Sequence, residues 1–522
     1  MKRFRRICEL IQSINPGLRF IFLLAVFVIV YDYPSLILKR PQSVHHWRQS
    51  DCASIALNYY QDGMRFFQPQ THNLTSDGST TGYSAPSEIP IGYYFVASLY
   101  KVFGYHDFIY RFINTLIFLL GLFYLFKLCY LLFKDFFWSA VSSLLFFTSP
   151  VLVYYGNNFL SDSSALAFAL TGWYFLLKFY LSKKQWDFII SIVFFLFAGA
   201  FKITALISLV AITIIFIVEL VRVYKFRNEG KIFERPVFTA SLIILVFAVI
   251  VAWVYFAKQF NNSHNSVYFS TRIIPIWELD GAQIQAVIKN IKGLWLDQYF
   301  HDSALYFLAG AFLFSILFIK KANRFLMLTN ILLLTGTIGY VVLWFPTFKD
   351  HDYYTINLYI FLVFIMINFG WVLKHKFPKV FSTWYLKIIF LGFLLFNLNH
   401  AQMSMYGRYY GWWTEYPEYK DYHIVSPYLR SIGIEPLDTV VCLPDMTHFT
   451  LYLMNQRGWT GCLGYNSDST AIETSISRGA KYLIIHGEET INLNYLQSFM
   501  TRPIGQFNSI KIFKLDKPFN SK

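Results

Sequence analysis

Long apolar runs separated by short polar connections fill most of this chain. Runs of roughly 18 to 22 apolar residues are long enough to cross about 30 Å of hydrocarbon as helices, and about eleven can be read. They lie near 18–38, 108–133, 137–154, 163–181, 186–201, 203–222, 236–257, 303–319, 325–345, 353–373 and 382–399. This pattern predicts a mainly α, polytopic membrane protein. Composition agrees: 56% of residues are hydrophobic, 20% are aromatic and 14% are charged, where soluble domains carry about 25% charged residues.

The charges then orient the runs. Lys134, Lys183 and Lys184, Arg222 to Lys231, Lys320 to Arg324 and Lys374 to Lys379 all fall on the side of the N-terminal MKRFRR, as the positive-inside rule requires of cytoplasmic loops. The opening run is too long for a signal-peptide core and lacks a small-residue cleavage site, so it should stay attached. The count puts 40–107, 155–162, 258–302, 346–352 and the tail after residue 400 outside. Most of the net charge of +15 is thus a topology signal, and nucleic acid is not an expected partner.

Two polar regions stand apart from the spans. In HHWRQSDCASIALNYYQDG, apolar positions at Cys52, Ile55, Ala56, Tyr59 and Tyr60 predict an amphipathic helix along the membrane interface, with Asp51 near its start. SEIPIGYYFVASLYKVFG is apolar but too short to span, so it reads as re-entrant or interfacial. The tail predicts a small external α/β domain: TVVCLPD and AKYLIIHG read as buried strands, and NSIKIFKL alternates like an edge strand. The expected division is a membrane domain over 1–400 and a soluble domain over 401–522. Cys442 and Cys462 share the tail and would pair in an oxidising compartment, or stand as two buried thiols.

Three acids are assigned to the external face: Asp51, Glu88 in SEIPIG, and Asp162 in YYGNNFLSDSS. Asp51 and Asp162 each have a competing reading as helix caps. The cations there are Arg48, Lys202, Arg272, Lys349 and His351; Lys202 interrupts an apolar stretch, either paired with an acid or an anion or snorkelling at a turn between spans. Such a set suits a reaction with a lipid phosphate as leaving group, in which one carboxylate takes a hydroxyl proton while Arg and Lys neutralise the phosphate. No Gly-rich nucleotide loop is present. A divalent cation is a candidate cofactor, with His45, His46 and Glu88 as its ligands, although adjacent histidines chelate one ion poorly. The rival class is a transporter or flippase of lipid-linked sugars, which would place polar groups at mid-span on several helices.

HHWRQSDCASIALN, SEIPIGYYF, YYGNNFLSDSS, the Lys202 position, HDYY at 351–354 and the tail's LYLMNQRGW together resemble the GT-C glycosyltransferases. The likeness is to the bacterial branch of protein O-mannosyltransferases and lipid A aminoarabinose transferases. The resemblance implies a GT-C fold and inverting sugar transfer from a polyprenyl-phosphate donor to a lipid, glycan or protein acceptor, at the outer face of a bacterial inner membrane. It further implies catalytic roles for Asp51, Glu88 and Asp162, and substrate contacts for Arg48, His46, Lys202, His351, Tyr353 and Tyr354. HHWRQSD and HDYY are its specific elements. Ile89 stands where the aminoarabinose branch has a basic residue, and Cys52 where the mannosyltransferases pair a second acid.

Overall fold

The structure is a computed structural model and describes residues 13–74, 81–226, 230–269, 273–411, 417–462 and 466–515. MKRFRR, Cys8, Arg227 and Arg272 lie outside the described residues. The chain divides into two compact units. The first comprises 1–37, 111–251 and 272–407, and the second 38–110, 252–271 and 408–522.

Helices dominate the first unit. Among the described residues, seven helices are long and apolar enough to cross a membrane, or up to nine if each of two bent pairs is one span. Two further apolar helices, Pro16–Val30 and Gln185–Phe201, are shorter. The chain is a multi-pass membrane protein. Large apolar side chains such as Phe22, Ile29, Ile244, Val251 and Ile388 are exposed, as lipid-facing positions are.

Every apolar run forms helix, with two departures from straight spans. The 137–154 run bends by 80° between Phe136–Phe146 and Pro150–Gly156, because Ser149 caps a new helix and Pro150 has no N–H to continue the old one. The 303–319 run follows an 88° bend after Gly281–Tyr299. That preceding helix occupies what the sequence reads as an external loop. Close packing within this unit depends on small residues. A Cβ on Gly121 would lie 2.4 Å from the Cβ of Ala167, so helices Asp107–Phe133 and Asp162–Ser182 meet where neither has bulk.

The second unit is built on a five-stranded sheet: β1 (Thr439–Leu443), β2 (Arg457–Thr460), β3 (Tyr482–His486), β4 (Pro503–Phe507) and β5 (Ile510–Lys514). The order is β2-β1-β3-β5-β4, with β1 parallel to β2 and β3, and β5 antiparallel to β3 and β4. NSIKIFKL is therefore an interior strand, not an edge. Its alternation reports which side chains face the core but not whether a neighbour follows, and β4 covers its outer side. Residues 72–74 join the far end of the sheet: Leu74 N–H donates to Gly458 O at 2.8 Å, and Gly458 N–H to His72 O at 3.0 Å. Gly458 has no alternative there, because a Cβ would lie 1.9 Å from Val440 O.

Two helices of the segment between residues 38 and 110 complete this unit, His46–Gln61 and Ile91–Phe103. The 13-residue Ile91–Phe103 helix is too short to span, as expected. Residues Arg48 to Tyr59 of the other are all buried, so it has no exposed polar face of the amphipathic kind. Its polar side is taken up by partners from this unit: Arg457 donates to Asn58 Oδ1 at 2.7 Å and pairs with Asp62, while Ser54 bonds the His72 ring at 2.7 Å.

Cys442 and Cys462 are free and buried, so of the two readings open for this pair the structure has the buried thiols. Cys442 faces Tyr422 and Thr450, whose hydroxyls lie 3.5 and 3.3 Å from its sulfur. Burial pushes this thiol up to about 12, which keeps it protonated and unreactive.

Candidate active site

Asp51 lies in the second turn of the His46–Gln61 helix, whose N-cap is His45. It is therefore not a cap, and the capping reading falls for this acid. Its carboxylate is 1% exposed and is held from two directions. The His448 ring nitrogen Nε2 lies 2.5 Å from Oδ1, and Tyr268 donates its hydroxyl to both oxygens at 3.0 and 2.9 Å. Tyr268 and His448 also meet each other at 2.8 Å.

One turn earlier, Arg48 extends the cluster. Its Nη1 is 3.6 Å from Asp51 Oδ2, and Nη2 is 2.5 Å from Glu88 Oε1. Tyr93 donates to the same Glu88 oxygen at 3.0 Å, and Ser87 to the other at 3.1 Å. The Arg48 guanidinium also lies over the Phe269 ring, 5.4 Å from its centroid. Two acids and two cations are thus buried together, the arrangement in which buried charges are tolerated because each has a partner.

The electrostatics follow from that pairing. Burial disfavours the charged imidazole of His448, but the charge and hydrogen bond of Asp51 outweigh it and raise the ring to about 10, so His448 is an imidazolium at neutral pH. Burial, and then the Asp51 charge, push the Tyr268 phenol well above its ordinary value, which keeps it a donor. Arg48 is raised as well; burial opposes its charge, while neighbours including Glu88 and Asp51 favour it.

Asp445 sets the position of His448. Its two oxygens accept from the backbone N–H and hydroxyl of Thr447 at 2.8 and 2.7 Å, and from those of Thr450 at 2.9 and 2.7 Å. These four bonds clamp the turn on either side of the imidazole.

A second cluster lies within the first unit. Asp162 opens the Asp162–Ser182 helix after Ser161, so it keeps a first-turn position where a negative charge is favoured. Lys202 sits at an extended residue between Gln185–Phe201 and the 3-10 turn Ile203–Leu206. Its ammonium is 3.1 Å from Asp162 Oδ1 and lies over the rings of Tyr354 and Tyr353, at 5.2 and 5.8 Å. Lys202 therefore pairs with an acid at the break and does not snorkel. His351 packs edge-on against both tyrosines, and its Nδ1 lies 3.2 Å from Thr347 O. Tyr155 donates to Asp352 at 2.7 Å beneath them.

Of the residues singled out by sequence, Arg48, Asp51 and Glu88 come together in the second unit, and Asp162, Lys202, His351, Tyr353 and Tyr354 in the first. His46 does not join its group; its ring packs on Phe449, 4.5 Å away. Sequence reasoning missed His448, Tyr268 and Tyr93. Among the described residues, no group of three or more His, Cys, Asp or Glu side chains is placed to hold a metal ion, and Glu88 is taken up by Arg48, Tyr93 and Ser87.

No known family model matches the sequence, and no curated protein is detectably similar to it. Solved structures are similar in fold. ArnT from Cupriavidus metallidurans superposes in its apo state with a TM-score of 0.59 at 11% identity, covering 95% of this chain and 98% of that one. The same protein bound to undecaprenyl phosphate gives 0.59 at 12%. The arabinofuranosyltransferase AftD from Mycobacteria gives 0.56 at 13%, over 95% of this chain and 41% of its own. The Archaeoglobus fulgidus oligosaccharyltransferase gives 0.52 at 11%, over 89% and 69%. The chain has the fold of the GT-C glycosyltransferases.

Proposed function

We propose that this protein is an integral membrane glycosyltransferase that moves a sugar from a polyprenyl-phosphate donor to a lipid, glycan or protein acceptor. The reaction runs with inversion at the outer face of a bacterial inner membrane. One observation carries the reading: Asp51 is a buried carboxylate that caps nothing, fixed by an imidazolium and a phenol, on a chain with a GT-C fold. The ArnT likeness supports the donor class, since that protein was solved with undecaprenyl phosphate bound.

In the proposed step the acceptor hydroxyl oxygen attacks the anomeric carbon. The bond from that carbon to the phosphate oxygen breaks, its electron pair leaves with the polyprenyl phosphate, and the hydroxyl proton passes to Asp51. A carboxylate has about four acceptor positions, so Asp51 has capacity for the incoming hydroxyl beside His448 and Tyr268. Because the leaving phosphate is already a stable anion, no acid need protonate it, and Arg48, beside Asp51, is assigned the role of neutralising it. Glu88 holds Arg48 in place, and Asp162 does the same for Lys202. Tyr353, Tyr354 and His351 line the lysine and are assigned to donor contact.

The test is Asp51→Asn, assayed for sugar transfer from a polyprenyl-phosphate donor in purified protein that elutes as a folded species. Loss of the base should lower turnover by roughly 10² or more. Near-wild-type turnover would overturn the assignment.

A further inference from the structure

The carboxyl ends of β1 and β3 open on a cavity of about 400 Å³ in the second unit, within the range of about 300 to 1,000 Å³ for small-molecule sites. Its place follows from the topology. β1 and β3 are parallel neighbours, but the chain leaves β1 toward β2 and leaves β3 toward β5 and β4, in opposite directions. Connections that part in this way leave a crevice beyond the strand ends, where open α/β sheets bind ligands. Pro444, directly after β1, and the residues from His486 to Thr490, at and after the end of β3, line the cavity. Gly487 holds a φ of +83°, and a Cβ there would meet nothing nearer than Thr490 Oγ1 at 4.0 Å, so the space in front of this hydroxyl is open.

Thr490 is 6% exposed, yet its hydroxyl has no hydrogen-bond partner among the described residues and is not closed off from solvent. Buried hydroxyls normally have a partner, so one that faces a cavity unpaired points to a group that arrives from outside. Glu488 and Glu489, both exposed, line the same cavity, and neither carboxylate has an ion pair or hydrogen bond among the described residues. The chain has 45 Lys and Arg against 30 Asp and Glu, so two consecutive acids left without a cation run against its charge balance. The Glu488–Ile491 helix that they open is a single turn of four residues, which sums too few peptide dipoles to account for both.

These groups select the ligand by charge. An anion is repelled, and a neutral ligand would leave the two carboxylates repelling each other, whereas a cation relieves both. Tyr419 adds an aromatic wall, its ring 5.4 Å from that of His486, and an ammonium group is attracted to such a face. Among the described residues no group of three or more His, Cys, Asp or Glu is placed to hold a metal ion, so the cation that fits is organic. We infer that this cavity binds a small organic cation through its primary ammonium group, held by Glu488, Glu489 and the Thr490 hydroxyl against the Tyr419 ring. Neither Asp51 nor His448 lines it, and the inference does not depend on the sugar-transfer reading.

Ligand-observed NMR on the full-length protein in a non-ionic detergent tests it with putrescine and with butanediol, which carries hydroxyls in place of the two ammonium groups. Putrescine should bind and butanediol should not. Combining Glu488→Gln with Glu489→Gln removes both charges at exposed positions, so the unfolding temperature should hold while putrescine binds roughly tenfold or more weakly, the scale of a lost charge-assisted hydrogen bond. Thr490→Val leaves every charge in place and should still weaken putrescine roughly threefold or more, with an unchanged or higher unfolding temperature. A wild type that does not bind putrescine, or that binds butanediol equally well, would overturn the site. So would putrescine binding that the double substitution leaves unchanged, and binding that responds to the double substitution but not to Thr490→Val would reduce the cavity to bare surface charge and overturn it too.

Discussion

Replacing His448 by glutamine (His448→Gln) tests the electrostatic core of the site without touching Asp51. The folded ring titrates at about 10 against 6.5 for ordinary imidazole. At about 1.4 kcal/mol per pH unit, that gap amounts to roughly 5 kcal/mol at full effect, near the 3–5 kcal/mol expected on breaking a buried pair. The folded value is the higher one, so the folded chain binds the proton more tightly. The stabilisation is fully present below about pH 6.5, mostly present at neutrality, and lost as the pH climbs through about 10. The amide introduced by the substitution would still donate a hydrogen bond to Asp51 but would carry no titrating charge. Thermal or pulse-proteolysis unfolding of both proteins in the same detergent, from about pH 6 to about pH 10, isolates the difference, since other titrating groups are shared. The wild-type advantage should shrink steadily across that window, at up to about 1.4 kcal/mol per pH unit. A constant difference, or one that widens, would mean that His448 is not an imidazolium paired with Asp51.

Lys202→Ala should raise the concentration of lipid donor needed for half-maximal transfer by roughly tenfold or more, the scale of a lost charge-assisted hydrogen bond; unchanged donor dependence would leave the Asp162 pair with a purely structural role. Alkaline-phosphatase fusions should be active after Lys522 and inactive at Lys184, and the reverse pattern would invert the proposed orientation. Cys442 and Cys462 should react with maleimide without any reductant once the chain is denatured, and peptide mapping that recovers them linked would refute the free-thiol assignment.

What the sequence disclosed follows the range over which its signals act. A span announces itself within some 20 consecutive residues, and each of the apolar runs is helical. Arg48 and Asp51 are three residues apart on one helix, so their pairing was readable from periodicity alone. His448 lies 397 residues from Asp51 and Tyr268 lies 217 away, and nothing in MTHFT or SVYFS marks either as a partner of a distant acid. RGWT and PIGQF form strands that sequence does not suggest: they are short, each contains Gly, and the second opens on Pro, a residue tolerated at a strand's start on a sheet edge. The 80° bend at Ser149 was hidden because apolar content continues across it, although the Ser-Pro pair there is chemistry that starts a helix.

The pairing of residues 72–74 with Gly458 also bears on how this protein can be cut. β2 would otherwise be an outer strand with a row of unpaired N–H and C=O groups, a template for any other extended chain. Here residues 72–74 pair with β2 at Gly458, so the polypeptide guards its own open edge with residues made nearly four hundred positions earlier. A tail expressed alone from residue 401 would lose this guard, along with the partners of Arg457 and His448. It should self-associate through β2, whereas co-expression with 38–110 should restore a soluble species.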